Sequence, residues 1–150
     1  MKKALVAFYS YSGTTKRIAE MIQKELRCDI YEIVETYGYS RNYSELLKQA
    51  KKQIKRGDMV GLKGDIPDLA GYDMVFIGSP NWWNTIAPPV SSFLMQADLN
   101  GKTIVPFITH GGGGLGRSTR YIRELCRNAR VLDGIDANQW NRVLEWLKNK

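Results

Sequence analysis

Metal and dithiol chemistry have little to work with in this chain. Its 150 residues hold two cysteines, Cys28 and Cys126, and one histidine, His110. No C-x-x-C pair and no H-E-x-x-H spacing occurs, which argues against a redox dithiol, a zinc site or a histidine-rich metal centre. Long apolar runs are missing too. None approaches the roughly 20 residues that a membrane span needs, so no membrane partner is expected. Met1-Lys2-Lys3 followed by Ala4 to Tyr9 begins like a secretory leader, but the apolar part is short and opens into a hydroxyl-rich turn rather than a cleavage site. The reading that follows is a mature cytoplasmic chain.

Acidic residues are also in deficit, 15 against 22 Lys and Arg, for a net charge of +7. Such an excess can serve nucleic acid or anionic surfaces. Most of the cations are scattered along the chain. The exception is the stretch 48–56, with Lys48, Lys51, Lys52, Lys55 and Arg56, which looks like the solvated face of one helix. No nucleic-acid reading motif accompanies the charge, so no nucleic-acid partner is expected. The length suits one domain, 1–150, able to bury roughly two thirds of its chain surface without disulfides or metals.

What is present is a regular alternation. Ala4 to Tyr9 is continuously apolar, as in a parallel strand buried on both faces, and a helix over about 14–27 follows with Ile18, Ile22 and Leu26 on one stripe. Cys28 to Glu35 reads as a less apolar edge strand. The next helix has Ser44 as its expected N-cap, Tyr43, Leu47, Ala50 and Ile54 as its apolar stripe, and Gly57 as its stop. Asp73 to Ser79 is a third strand. Pro88 and Pro89 suit a helix opening, with Val90, Phe93, Leu94 and Ala97 facing inward. Lys102 to Thr109 is a fourth strand, in which Pro106 removes a ladder donor and so predicts a bulge or break. A helix over about 117–128, a short strand at Ala129 to Leu132 and a last helix over Ala137 to Leu147, with Trp140, Val143, Leu144 and Leu147 on one face, complete the chain. Right-handed crossovers turn this alternation into an α/β doubly wound five-stranded parallel sheet, for which strand order 2-1-3-4-5 is expected.

Three loops would then meet at the carboxyl edge of the sheet. The first, Ser10-Tyr11-Ser12-Gly13-Thr14-Thr15, offers the hydroxyls of Ser10, Ser12, Thr14 and Thr15, a glycine that lets backbone approach closely, and the free N–H groups of a helix start, so it can cradle a phosphate. The same residues also suit a plain N-cap and turn, and both readings stay open. G-x-x-x-x-G-K-[ST] and G-x-G-x-x-G are absent from this position. The second loop, Pro80-Asn81-Trp82-Trp83-Asn84, offers flat apolar surface. The third, Thr109-His110-Gly111-Gly112-Gly113-Gly114-Leu115-Gly116, offers bare backbone. A flat heteroaromatic carrying a phosphate monoester would use all three.

Ser10 to Thr15 matches [ST]-x-[ST]-G-[NT]-T at every position and so resembles the flavin-phosphate loop of the flavodoxins. Gly78-Ser79-Pro80-Asn81-Trp82-Trp83 with Pro88-Pro89, and the glycine tract after Thr109, extend the likeness to the short-chain flavodoxin-like proteins over nearly the whole chain. FMN is the cofactor this resemblance implies. Its phosphate would lie on Ser10, Ser12, Gly13, Thr14 and Thr15, and its ring between Pro80, Asn81, Trp82, Trp83, Asn84 and Thr109, His110, Gly111, Gly112, Gly113. The FMN of flavodoxin is itself the known example of a ligand at this switch point, so the likeness supplies that placement. His110 is a candidate catalytic proton donor to a reduced flavin, since histidine exchanges protons near neutral pH. Electron-carrier flavodoxins are acidic around the flavin, whereas the second and third loops here contain no Asp or Glu. The roughly 20-residue insertion of long-chain members is also missing. Two functions stay open: a carrier that passes electrons to a redox partner protein, and an enzyme passing hydride from NAD(P)H to a small acceptor such as a quinone.

Overall fold

A computed structural model describes residues 3–148. Its sheet is built on β1 (Ala4–Phe8), β2 (Asp29–Glu32), β3 (Met74–Trp82), β5 (Thr103–Thr109) and β6 (Arg130–Val131), in the order β2-β1-β3-β5-β6. All pairs along this path are parallel. Two short strands lie off it: β4 (Thr85–Ile86) is antiparallel to β3, and β7 (Ile135–Asp136) is parallel to β5. Counting only the through-going strands, the order is the 2-1-3-4-5 expected of a doubly wound fold.

Continuous burial of the central strands follows from helices on both faces. Leu5, Ala7, Val75, Ile77, Ile104 and Ile108 point to one side, where they meet α2 (Tyr43–Arg56), α3 (Pro88–Gln96) and α4 (Ser118–Leu125) through Leu46, Ala50, Phe93 and Ile122. Val6, Phe8, Phe76, Val105 and Phe107 point to the other, against α1 (Thr14–Leu26) and α5 (Trp140–Lys148) through Ala19, Ile22, Val143 and Leu147. This strict alternation, with both sets apolar, explains the uninterrupted runs in the sequence.

Several local expectations need correction. The N-cap of α2 is Asn42, whose Oδ1 accepts from Glu45 N–H at 3.2 Å, and not Ser44. Leu46 and Ala50 are the buried residues of α2, while Tyr43 is exposed. The inward stripe is centred on Leu46 and Ala50, with Leu47 and Ile54 half-buried at its edge. In α5, Trp140 is exposed and the inward residues are Val143 and Leu147. The third strand does not stop at Ser79. It runs on through Pro80 and Asn81 to Trp82 and folds back in a hairpin with β4.

Pro106 breaks nothing in its own strand, since β5 is continuous and Pro106 sits opposite Ile77 in register. In a parallel strand alternate residues aim their polar groups at opposite neighbours. Thr103 bonds toward the β3 side, whereas the carbonyls of Ile104 and Ile108 accept from Leu132 and Ala137 on the β6 and β7 side. The missing N–H of Pro106 therefore faces the outer neighbour, at the gap between Val131 and Ile135. The fifth strand, expected at Ala129 to Leu132, is the short β6, and an unexpected strand, β7, resumes beyond the point where their neighbour has no donor to give.

Candidate functional site

The first loop bridges β1 and α1. Gly13 adopts φ 98°, a left-handed conformation that few other residues accept, and its N–H donates to Ser10 Oγ at 3.0 Å. Ser12 Oγ and Thr14 Oγ1 lie 3.3 Å apart on the exposed rim. No side chain caps α1 and no acid stands in its first turn. The opening N–H groups of this helix thus keep their donor capacity and their dipole uncompensated. That is the fit expected for a phosphate, and both rim hydroxyls flank it.

The second loop is tighter than expected. Asn81 pairs with Ile86 and Trp82 with Thr85, leaving Trp83 and Asn84 as a two-residue turn with φ 56° and 69°. Positive φ at both positions is the mark of a type I′ hairpin, here without glycine. A bulky residue in that region costs on the order of 1–3 kcal/mol, so its surroundings must hold it. They do so from two sides: Trp83 Nε1–H donates to the Leu47 carbonyl at 2.6 Å, and Lys51 Nζ lies 4.7 Å from the indole centroid. On the far side the N–H of Arg117 donates to Asn84 O at 2.7 Å.

The two tryptophans part company. Trp83 is 42% exposed, while Trp82 is 2% exposed and packs edge-on against Tyr9, Tyr11 and Tyr39. Trp82 is the last residue of β3 and points into the core, whereas Trp83 belongs to the turn that carries the chain out to the surface. Of the pair only Trp83 presents its ring at the surface. Beneath this cluster, burial and the nearby Glu35 carboxylate drive the Tyr9 hydroxyl well above its ordinary range; burial does the same for Tyr39. Both phenols are therefore neutral at any physiological pH.

The third loop is pinned from below. His110 N–H donates to Asn138 Oδ1 at 2.9 Å, Asn138 Nδ2 donates to His110 O at 2.6 Å, and Asn138 N–H donates to Asp136 Oδ1 at 3.0 Å. The imidazole is 11% exposed; its Nε2 lies 2.9 Å from Asp136 Oδ1, and its Nδ1 accepts from Gly112 N–H at 3.0 Å. Because Nδ1 accepts, the hydrogen-bond pattern assigns the ring proton to Nε2 and directs it at Asp136. Both ring nitrogens are thus engaged, Nε2 with Asp136 and Nδ1 with Gly112, whose φ is 127°. Asp136 and Asn138 were not legible as site residues, because only the pairing of β7 with β5 brings them under His110.

Two bonds tie the loops together. Thr15 Oγ1 and Thr109 Oγ1 are 2.8 Å apart and buried, joining the first loop to the third. Asn81 Nδ2 donates to Gly114 O at 2.8 Å, joining the second to the third. Gly111 and Gly112 face open space, and Gly113 lies beside the Asn81 amide. The structure therefore brings the predicted residues to one edge, with Trp82 packed beneath them.

A flavodoxin family profile matches residues 3–150. This chain belongs to the flavodoxin family. A flavoprotein of Lactobacillus acidophilus, solved in complex with FMN, superposes with a TM-score of 0.80 at 26% identity, covering 95% of this chain and 98% of that one. A candidate flavoprotein of Bacteroides eggerthii superposes with a TM-score of 0.89 at 27% identity, over 99% and 98% of the two chains. Among curated relatives, Flavodoxin 1 of Salmonella typhimurium is 26% identical over 81% of this chain and 53% of its own. An NAD(P)H dehydrogenase (quinone) of Azorhizobium caulinodans is 29% identical over 75% and 60%. The chain thus spans little more than half the length of the curated relatives it matches. Among the described residues no helix is long and apolar enough to cross a membrane.

Proposed function

We propose that this flavodoxin-family chain, as one cytoplasmic domain, binds one FMN across its three carboxyl-edge loops and passes electrons through it. The observation that carries this reading is the start of α1, an uncapped helix with no acid in its first turn, flanked by the Ser12 and Thr14 hydroxyls. Ser10, Ser12, Gly13, Thr14 and Thr15 hold the phosphate, where the dipole and the free N–H groups favour an anion. Pro80, Asn81, Trp83 and Asn84 border the ring on one side, and Thr109 to Gly113 on the other. Trp82 supports this border from the core. FMN supplies reversible uptake of electrons. His110 is read as a positioning residue, since its Nε2 proton goes to Asp136 and its Nδ1 holds Gly112. Visible absorption of the purified protein and titration of the apoprotein with FMN test the proposal. No binding at micromolar FMN overturns it.

A second reading is NAD(P)H-dependent reduction of a quinone or similar small acceptor. It is favoured by the basic charge and the carboxylate-free ring loops, which suit an incoming nucleotide phosphate, and by the likeness to the Azorhizobium dehydrogenase. Anaerobic stopped-flow mixing with NADPH and NADH, then with a quinone, separates the two. Rapid reduction of the flavin by either nucleotide rejects a pure carrier, and negligible reduction rejects the enzyme.

A further inference from the structure

The cations of α2 form one exposed face. At 100° per residue, Lys48, Lys51, Lys52, Lys55 and Arg56 fall within about 140° of arc, opposite the buried Leu46 and Ala50. All five are exposed, and none takes part in an ion pair among the described residues. A purely solvated helix usually mixes signs, with acids four residues from bases; this one confines its acid to Glu45 in the first turn. The face is continuous with the ring border, because Lys51 lies on the exposed indole of Trp83. Beyond the last turn of α2 it runs into a cleft of about 320 Å³ lined by Ile54, Ile86, Met95 and Tyr121, with Arg117 and Arg120 on one wall and Asp58 and Glu124 also present. A cleft of mixed polar and apolar lining within a charged rim is the usual anatomy of a protein interface.

We propose that the face made by α2, the Trp83-Asn84 turn and the start of α4 docks an acidic redox-partner protein. This rests on the flavin reading above and specifies its partner. Charge complementarity sets the class: a partner with clustered carboxylates is steered onto the α2 face, and docking there places it over Trp83 at the ring border. One electron leaves the partner's reduced centre and enters the bound flavin, leaving the partner oxidised by one electron. Nucleic acid would meet the same charge, but nothing in that case explains why the cations adjoin the ring border.

The test uses the FMN-loaded full chain and a reduced acidic iron–sulfur carrier protein as the probe, mixed anaerobically at low ionic strength. The variant Lys48→Glu/Lys52→Glu/Lys55→Glu leaves the cradle and Lys51 untouched. A control, Lys24→Glu/Arg142→Glu/Lys148→Glu, makes the same change of charge on the opposite face of the sheet. The expected result is a second-order rate at least ~10-fold lower for the α2 variant, with a flatter salt dependence, and a markedly smaller loss for the control. Equal losses in both variants, or no loss in either, overturn the proposal. Salt-dependent calorimetric binding of the carrier to apoprotein reads the docking without flavin, so absence of FMN binding does not obscure it. Loss of that binding in the α2 variant alone supports the interface. Tighter binding of a 20-base-pair DNA duplex than of the carrier, abolished by the α2 changes, overturns it in favour of nucleic acid.

Discussion

The first and third loops do opposite things with their hydrogen-bonding groups. The first leaves its rim open: Gly13 N–H and the Thr15 hydroxyl have partners in Ser10 and Thr109, but α1 has no side-chain cap, and the hydroxyls of Ser12 and Thr14 touch only each other. The third commits its polar groups inward, with His110, Asp136 and Asn138 closing a network beneath glycines whose upper surface is bare. A charged ligand group is best met by donors without a prior partner, because no internal bond has to be broken to bind it. A flat ring is best met by a backbone held in place, because an unpinned glycine tract would lose its conformational freedom on binding. The two loops thus meet one ligand by different means.

The comparison breaks most readily at the first loop. Ser12→Ala/Thr14→Ala removes two charge-assisted bonds and should weaken FMN by about 3 kcal/mol, roughly 100-fold, while leaving riboflavin unaffected, as parallel titrations would show. Equal losses for both ligands would place the phosphate elsewhere.

At the third loop the effect should be smaller and indifferent to the phosphate. Asn138→Ala leaves the His110 N–H and carbonyl without their partner, at a cost of about 1–3 kcal/mol in denaturant unfolding, and should weaken FMN and riboflavin alike. A selective loss of FMN would erase the distinction between the loops.

Trp83→Ala sharpens it further. Removing the exposed indole should cost both flavins about 0.5–1.5 kcal/mol and also lower the unfolding midpoint, because the Nε1–H bond to Leu47 is lost while alanine keeps a Cβ at the positive φ. A last effect belongs to a region outside both loops and shows only at high pH. Burial pushes the Cys126 thiol up to about 11 from an ordinary value of 9.0. The unfolded chain then ionises first, so stability is full below pH 9 and declines as pH rises toward 11. Cys126→Ala should flatten that decline in unfolding curves recorded from pH 8 to 11.

Much of this was legible before any coordinates. The uninterrupted apolar strands, the helix period between them and the Ser10–Thr15 turn led to the order β2-β1-β3-β5-β6 and to three loops on one edge. What misled was local. Ser44 is as good a cap as Asn42 by residue type, and only the start of the helix decides between them. Trp140 has the spacing of a buried residue but lies at the exposed beginning of α5.

The sequence by itself determined whatever depends on residue type and period: the strand-helix alternation, the hydroxyl cradle, the glycine tract and the excess of positive charge. The tertiary structure alone decided what depends on neighbours distant in the chain. Trp82 and Trp83 are identical in type, and the pleat of β3 together with the β4 hairpin sends one into the core and the other to the surface. Pro106 carries its defect in the sequence, yet the orientation of β5 places the missing donor toward the outer strand, which is interrupted beside it. His110 could have been a solvent-exposed base. It became a fastener because β7 brings Asp136 to 2.9 Å from its Nε2, a contact between residues 26 apart that no local pattern specifies.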